Sequence, residues 1–160
     1  MPTSLVGVNT GVPNRLVKES IIQKKIPELS DFDRIKSEVK YGSNSRIDIL
    51  LEKDRIKYFV EVKNCTLMEN GACYFPDAVT SRGLKHLKEL QKEVLSGNRS
   101  FMFYLVQRMD VDRFEPAAHI DPAYSEELKR AYENGVEILV YDVKIDTKKI
   151  SINRPVPFNL

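Results

Sequence analysis

The sequence is poor in the features that would announce a class. It has two cysteines and two histidines in 160 residues. Cys65 and Cys73, with seven residues between them, make neither a CxxC redox pair nor half of a zinc site, because both histidines lie elsewhere. Free thiols in a reducing compartment are therefore expected. No apolar run approaches the roughly 20 residues that cross a bilayer, so no membrane span is expected. MPTSLVGVNTG has no basic n-region and no long apolar h-region, which makes a cleaved leader unexpected and a cytoplasmic location the expectation. Charge of one sign is scarce too: 25 basic residues against 23 acidic give +2, which argues neither for nor against nucleic acid. Repeats, low-complexity tracts and linkers are also lacking.

What is present suits one soluble domain with a full core, at 42% hydrophobic and 30% charged residues. VGVNTG reads as a short strand entering a turn. Pro13 followed by Leu16, Val17, Ile21 and Ile22 predicts a helix over about 12–25, stopped by Pro27. DRIKSEVK predicts a strand over about 33–40, with Ile35 and Val39 on one face and Arg34, Lys36, Glu38 and Lys40 on the other. After the YGSNS turn come two more strands, in SRIDILL and YFVEVKN, joined by the charged turn EKDRIK. In the first, Ile47, Ile49 and Leu51 alternate with Arg46, Asp48 and Leu50. A loop of about twenty residues, NCTLMENGACYFPDAVTSRG, is long enough to suggest a lid. Leu84, Leu87, Leu90 and Val94 then mark a helix ended by Gly97, with Arg82 and His86 sharing a face beside that stripe. SFMFYLVQR reads as a strand buried on both faces. Asp121-Pro122 starts a last helix that Asn134-Gly135 ends, followed by strands in VEILVYDVKID and the Pro-bearing edge KKISINRPV.

The chemistry concentrates between Arg46 and Lys63. Side chains two apart on a strand leave one face, so Glu61 and Lys63 project together, and in a hairpin Asp48 lies beside them. Two carboxylates are hard oxygen ligands for Mg²⁺ or Mn²⁺, and a lysine beside them orients a nucleophile or offsets transition-state charge. Glu-x-Lys alone is common, and an ordinary ion pair on a solvated face would equally produce it. Context separates the two readings. The order α-β-β-β-α-β, followed by α-β-β, resembles the restriction-endonuclease-like PD-(D/E)xK core, an α/β fold with a mixed sheet flanked by helices. In that fold these residues sit on the strands that carry them here. The core would cover about 12–108 and the extension about 109–160 of one domain over 1–160.

Beyond the superfamily, the blocks VGVNTGVPNRLV, EVKYGSNSRIDILL, VEVKNCTL, FPDAVTSRGLKHLKEL, FYLVQR, AAHIDPAY and GVEILVY resemble the sugar fermentation stimulation protein family along almost the whole chain. The resemblance implies a nuclease-like domain that in the family follows an OB-like barrel, and the chain is expected to begin where that domain begins. It implies Asp48 and Glu61 as the metal pair with the Val62 carbonyl as third ligand, and Lys63 as catalytic lysine. Glu38, Arg46, Asp77, Arg82 and His86 match the family pattern as accessory positions, and Glu19 could fill the place where some nucleases of this fold supply a further acid. Each has a plainer reading. Glu38 could pair with Lys36 or Lys40, Asp77 could cap a helix, Arg82 and His86 could form a surface face, and Glu19 could be an exposed helical acid. His119, Lys129-Arg130 and Lys148-Lys149 are expected to be structural or solvated. The functional expectation is a Mg²⁺- or Mn²⁺-dependent nuclease-like protein whose partner is nucleic acid, DNA foremost, with a homodimer compatible. The other reading is a non-catalytic, sequence-nonspecific DNA-binding protein with a regulatory role in sugar (maltose) metabolism.

Overall fold

Hydrophobic periodicity resolves into a six-stranded mixed sheet with helices on both faces, and a small second sheet beside it. The computed structural model describes residues 12–160, so the strand expected over VGVNTG lies outside the described residues. In chain order the elements are α1 (Val12–Ile22), β1 (Arg34–Tyr41), β2 (Ser45–Lys53), β3 (Ile56–Cys65), β4 (Leu67–Glu69), β5 (Ala72–Phe75), α2 (Ser81–Leu95), β6 (Arg99–Val106), β7 (Arg113–Pro116), α3 (Pro122–Glu133), β8 (Glu137–Ile145) and β9 (Ile150–Pro155). The large sheet runs β1-β2-β3-β6-β8-β9. Its first three strands form an antiparallel meander, β3, β6 and β8 are parallel, and β9 returns antiparallel at the edge.

Two cores follow from strand alternation. On β6, Phe101, Phe103 and Leu105 pack toward α1 with Leu16, Val17 and Ile21, while Met102, Tyr104 and Val106 pack toward α2 and α3. The strand is buried on both faces, as its continuous apolar run predicts. Asp121 caps α3, its Oδ1 accepting from the Tyr124 amide at 3.1 Å. Among the described residues no helix is long and apolar enough to cross a membrane.

Four expectations need correction. Helix α1 stops at Ile22, earlier than predicted, because Lys24 takes a left-handed conformation (φ 59°) and the Lys25 amide closes back onto the Ser20 carbonyl. The long loop is not a lid: it folds into the β4–β5 hairpin, and β5 pairs in parallel with β7 to make the second sheet. Its turn is Asn70-Gly71, both at positive φ. Cys65 and Cys73 are not free thiols but a disulfide joining the end of β3 to β5. Finally, Ile35 and Val39 do not share a face. Ile35 packs on the α1 side and Val39 on the α2 side, because Glu38 between them has φ 52°, a left-handed residue in mid-strand.

Candidate active site

The kink at Glu38 has a counterpart on β2. Asp48 stands opposite it, unpaired, between the Ser37/Ile49 and Val39/Ile47 pairs. Here too the alternation breaks, since Ile47 and Leu50 pack on the α2 side and Ile49 and Leu51 on the α1 side. The β2–β3 ladder runs from Lys53/Ile56 to Ile49/Val60. Just past its end the Asp48 side chain takes the place of a strand partner: its Oδ2 accepts from the Val62 amide at 2.8 Å. Oδ1 accepts from Asn14 Nδ2, on α1, at 2.9 Å. The carboxylate is thus fixed from both sides at the fork where β2 leaves β3.

On the α2 face of β3, Glu61 and Lys63 project together as period two requires. His86 closes the group from α2. Its Nδ1 lies 3.0 Å from Glu61 Oε1 and 3.2 Å from Lys63 Nζ, and Lys63 Nζ is 3.4 Å from the same Glu61 oxygen. That one ring nitrogen either donates to the carboxylate or accepts from the ammonium, so the position of its proton sets which neighbour it holds.

The electrostatics of the two acids diverge. Burial, and then the charge of Glu61, push the Asp48 carboxyl up to about 6, against the opposing pull of the Val62 amide, Lys63 and Asn14. For Glu61 burial acts in the same upward sense, but His86 and Lys63 together outweigh it and hold the carboxyl below its ordinary value. Glu61 is ionised and tightly partnered through Oε1, while its Oε2 is buried without a hydrogen-bond partner. Two carboxylates, of which Glu61 raises the cost of ionising Asp48 and itself keeps a bare buried oxygen, are a donor set that fits a hard divalent cation. Among the described residues no three His, Cys, Asp or Glu side chains converge as a ready cage. The set is therefore two carboxylates, to be completed by main-chain oxygen, water or substrate.

The other predicted positions divide. Arg46 and Arg82 line a groove that leads to His86, made of two adjoining clefts of about 330 and 310 Å³ that share Asn44, Ser45 and Arg46. Lys40, Arg46, Arg82 and Lys85 line it, with no carboxylate among the described lining residues. Glu38 is exposed, and Lys36 pairs instead with Glu52 at 3.3 Å. Asp77 is exposed and does not cap α2; Thr80 does, accepting from the Gly83 amide at 2.9 Å. Glu19 faces away from Asp48, in a cleft with Lys148 and Lys149, and the residue that α1 brings to the site is Asn14.

Sequence reasoning missed Asn14, Tyr41 and Glu89. Glu89 is buried on α2 three residues beyond His86, and its Oε1 accepts from the Ser43 amide at 3.2 Å. Lys85 donates to the Ser43 carbonyl, so α2 grips the β1–β2 turn that walls the groove. Gly42 in that turn has φ 58°, and a Cβ there would lie 2.8 Å from Glu89 Cδ. The available signal was an acid one helical turn from His86 on the side of the apolar stripe.

Comparison with known proteins gives a consistent answer. A family model described as the sugar fermentation stimulation protein RE domain matches residues 11–149. A sugar fermentation stimulation protein homolog of Shewanella loihica is 46% identical over 158 residues, covering 98% of this chain and 68% of that one. One from Geobacter sulfurreducens is 47% identical over 151 residues, covering 94% of this chain and 65% of its own length. The solved structure of Pyrococcus furiosus SfsA in complex with Ca²⁺ matches at a TM-score of 0.88 and 30% identity, over 96% of this chain and 66% of that chain. The chain thus spans about two thirds of the length of these relatives.

Proposed function

This chain belongs to the sugar fermentation stimulation protein family, and from that membership we propose that it is a divalent-metal-dependent phosphodiesterase acting on nucleic acid. The observation that carries the reading is the fork between β2 and β3. Asp48 and Glu61 share it with Lys63, and the groove lined by Lys40, Arg46, Arg82 and Lys85 opens beside it.

Asp48 and Glu61 would hold Mg²⁺ or Mn²⁺, with the Val62 carbonyl as a third ligand. The Ca²⁺ in the Pyrococcus furiosus relative prefers the same kind of oxygen donors. When bound, such an ion polarises a phosphoryl oxygen and acidifies a ligated water. The chain's own residues do the rest. The Val62 amide and Asn14 hold the Asp48 carboxylate in one orientation, as supporting hydrogen bonds do at metal sites. Lys63, fixed between Glu61 and His86, presents an ammonium to the attacking water or to a phosphoryl oxygen as negative charge develops there. Arg46 and Arg82 receive the flanking phosphates, for which a planar guanidinium is suited.

Incubation of the folded protein with labelled DNA and RNA in Mn²⁺ should give cleavage that EDTA abolishes, with Asp48→Asn inactive and Lys63→Ala slower by roughly 10²-fold. Absence of cleavage of every such substrate by metal-loaded protein contradicts the reading. A second reading, nucleic-acid binding without turnover, draws on the groove's four basic residues, Lys40, Arg46, Arg82 and Lys85, none of which belongs to the Asp48, Glu61 and Lys63 group. Salt-dependent binding that survives Lys63→Ala, with nothing cut by the wild type, decides for it.

A further inference from the structure

We propose a second cation site on the α2 side of β3, built from Glu61 Oε2, Glu89 Oε2 and the Tyr41 hydroxyl, which takes a hard divalent ion such as Mg²⁺, Mn²⁺ or Ca²⁺. Among the described residues, these three are the buried side-chain oxygens that have no hydrogen-bond partner. Buried polar atoms are almost always partnered, and a bare buried carboxylate oxygen is among the costlier exceptions. Glu61, Glu89 and Tyr41 are only 3%, 4% and 8% exposed, so bulk water does not serve them.

A chain of contacts links the three. Tyr41 stacks on Phe59, their ring centroids 5.3 Å apart, and Phe59 precedes Glu61 by two residues on the same face of β3. Glu89 lies one turn beyond His86, and residues three apart on a helix have roots only about 5–6 Å apart. His86 itself touches Glu61. Burial above all, followed by the charges of Glu61 and Glu89, pushes the Tyr41 phenol well up, so it remains a neutral O–H.

The two carboxylates are divided in the same way. Glu61 commits Oε1 to His86 and Lys63, and Glu89 commits Oε1 to the Ser43 amide and, at 3.8 Å, to Lys85. Each leaves Oε2 bare. A single phenol proton can satisfy one of these oxygens, not both. A cation satisfies both and takes the phenol oxygen as a neutral ligand, the remaining positions falling to water. Glu61 would then be shared by the two centres through Oε2, since its Oε1 is held by His86 and Lys63. The site rests on the reading of Glu61 as a ligand, while Glu89 and Tyr41 belong to it alone. Lys85 beside Glu89, added to the Lys63 that both centres share, makes it the weaker of the two, filled at higher ion concentration than the Asp48 centre.

Terbium provides the test, because the chain has no tryptophan and seven tyrosines. Tb³⁺, an oxygen-seeking substitute for Ca²⁺, emits on tyrosine excitation when a tyrosine lies against it. Wild type, Tyr41→Phe, Glu89→Gln and Asp48→Asn are titrated with Tb³⁺, and bound Mn²⁺ is counted in parallel by paramagnetic resonance. Circular dichroism checks folding, and Gln at position 89 keeps an acceptor for the Ser43 amide. We expect two Mn²⁺ per wild-type chain and one each in Asp48→Asn and Glu89→Gln. Tyrosine-excited emission should persist in Asp48→Asn, and fall by roughly tenfold in Glu89→Gln and Tyr41→Phe with the loss of a ligand. One Mn²⁺ that Asp48→Asn removes and Glu89→Gln leaves untouched overturns the second site and keeps the Asp48 centre. One Mn²⁺ with the opposite pattern keeps the second site and overturns the Asp48 centre. A folded wild type that binds no ion overturns both.

Discussion

At the scale of single residues, Asp48 is the position where structure and chemistry pull hardest against each other. Its carboxyl is raised from an ordinary value of 3.8 to about 6 by burial and by Glu61. In metal-free protein the folded state therefore holds this proton more tightly than the unfolded chain. The stabilising contribution is complete below about pH 4 and is lost as pH climbs to about 6, by at most about 3 kcal/mol at roughly 1.4 kcal/mol per pH unit. Urea unfolding in EDTA should show that loss between pH 4 and 7, Asp48→Asn should flatten it, and added Mn²⁺ at pH 7 should restore the stability. An Asp48→Asn profile that parallels the wild type contradicts the assignment. Glu61 and Lys63 were legible in the sequence because period two on a strand puts them on one face, and Asp48 because the hairpin of β2 and β3 brings it beside them. Asn14 and Tyr41 were not, since their contacts depend on how α1 and β1 lie on the sheet, which no local pattern records.

At the scale of elements, the kink in β1 is what lets β2 offer Asp48 at the fork. Glu38 at φ 52° flips the strand's alternation opposite the break in β2. A left-handed non-glycine residue costs on the order of 1 kcal/mol or more, and a β-branched one costs further. Glu38→Gly should therefore leave stability unchanged or raise it by about 1 kcal/mol, although glycine in a regular strand would lower it. Glu38→Val should lower it by about 1–2 kcal/mol and weaken Mn²⁺ binding as the strand straightens. Equal stabilities of the two variants in denaturant titrations contradict this view. The sequence predicted a flat strand here because Ile35 and Val39 fit a simple alternation, and a sign change in φ at one residue leaves no trace in hydropathy. The second sheet escaped for a related reason. Strands of three and four residues around Asn70-Gly71 resemble a polar loop until β7, some forty residues later, arrives to pair with them. The disulfide depends on that same hairpin to bring Cys73 to the end of β3.

At the scale of the whole molecule, a net charge of +2 concealed an organised surface. The β1–β2 turn, clamped by Glu89 and Lys85, and the start of α2 place four basic side chains along one groove beside the fork. Arg46→Ala and Arg82→Ala should each reduce the salt dependence of nucleic-acid binding by about one phosphate contact, a change of roughly 0.9 in the slope of log K against log salt. Substituting Lys148 and Lys149, in the α1–β9 cleft, should leave the slope unchanged. The overall order of helices and strands was readable because each long element carries its own period, whereas the groove exists only once turn and helix meet. The most direct test of the metal centre itself is anomalous diffraction from crystals grown with millimolar Mn²⁺. We expect a peak at about 2.1 Å from carboxylate oxygens of both Asp48 and Glu61. A well-ordered fork with no peak between these two residues contradicts the account.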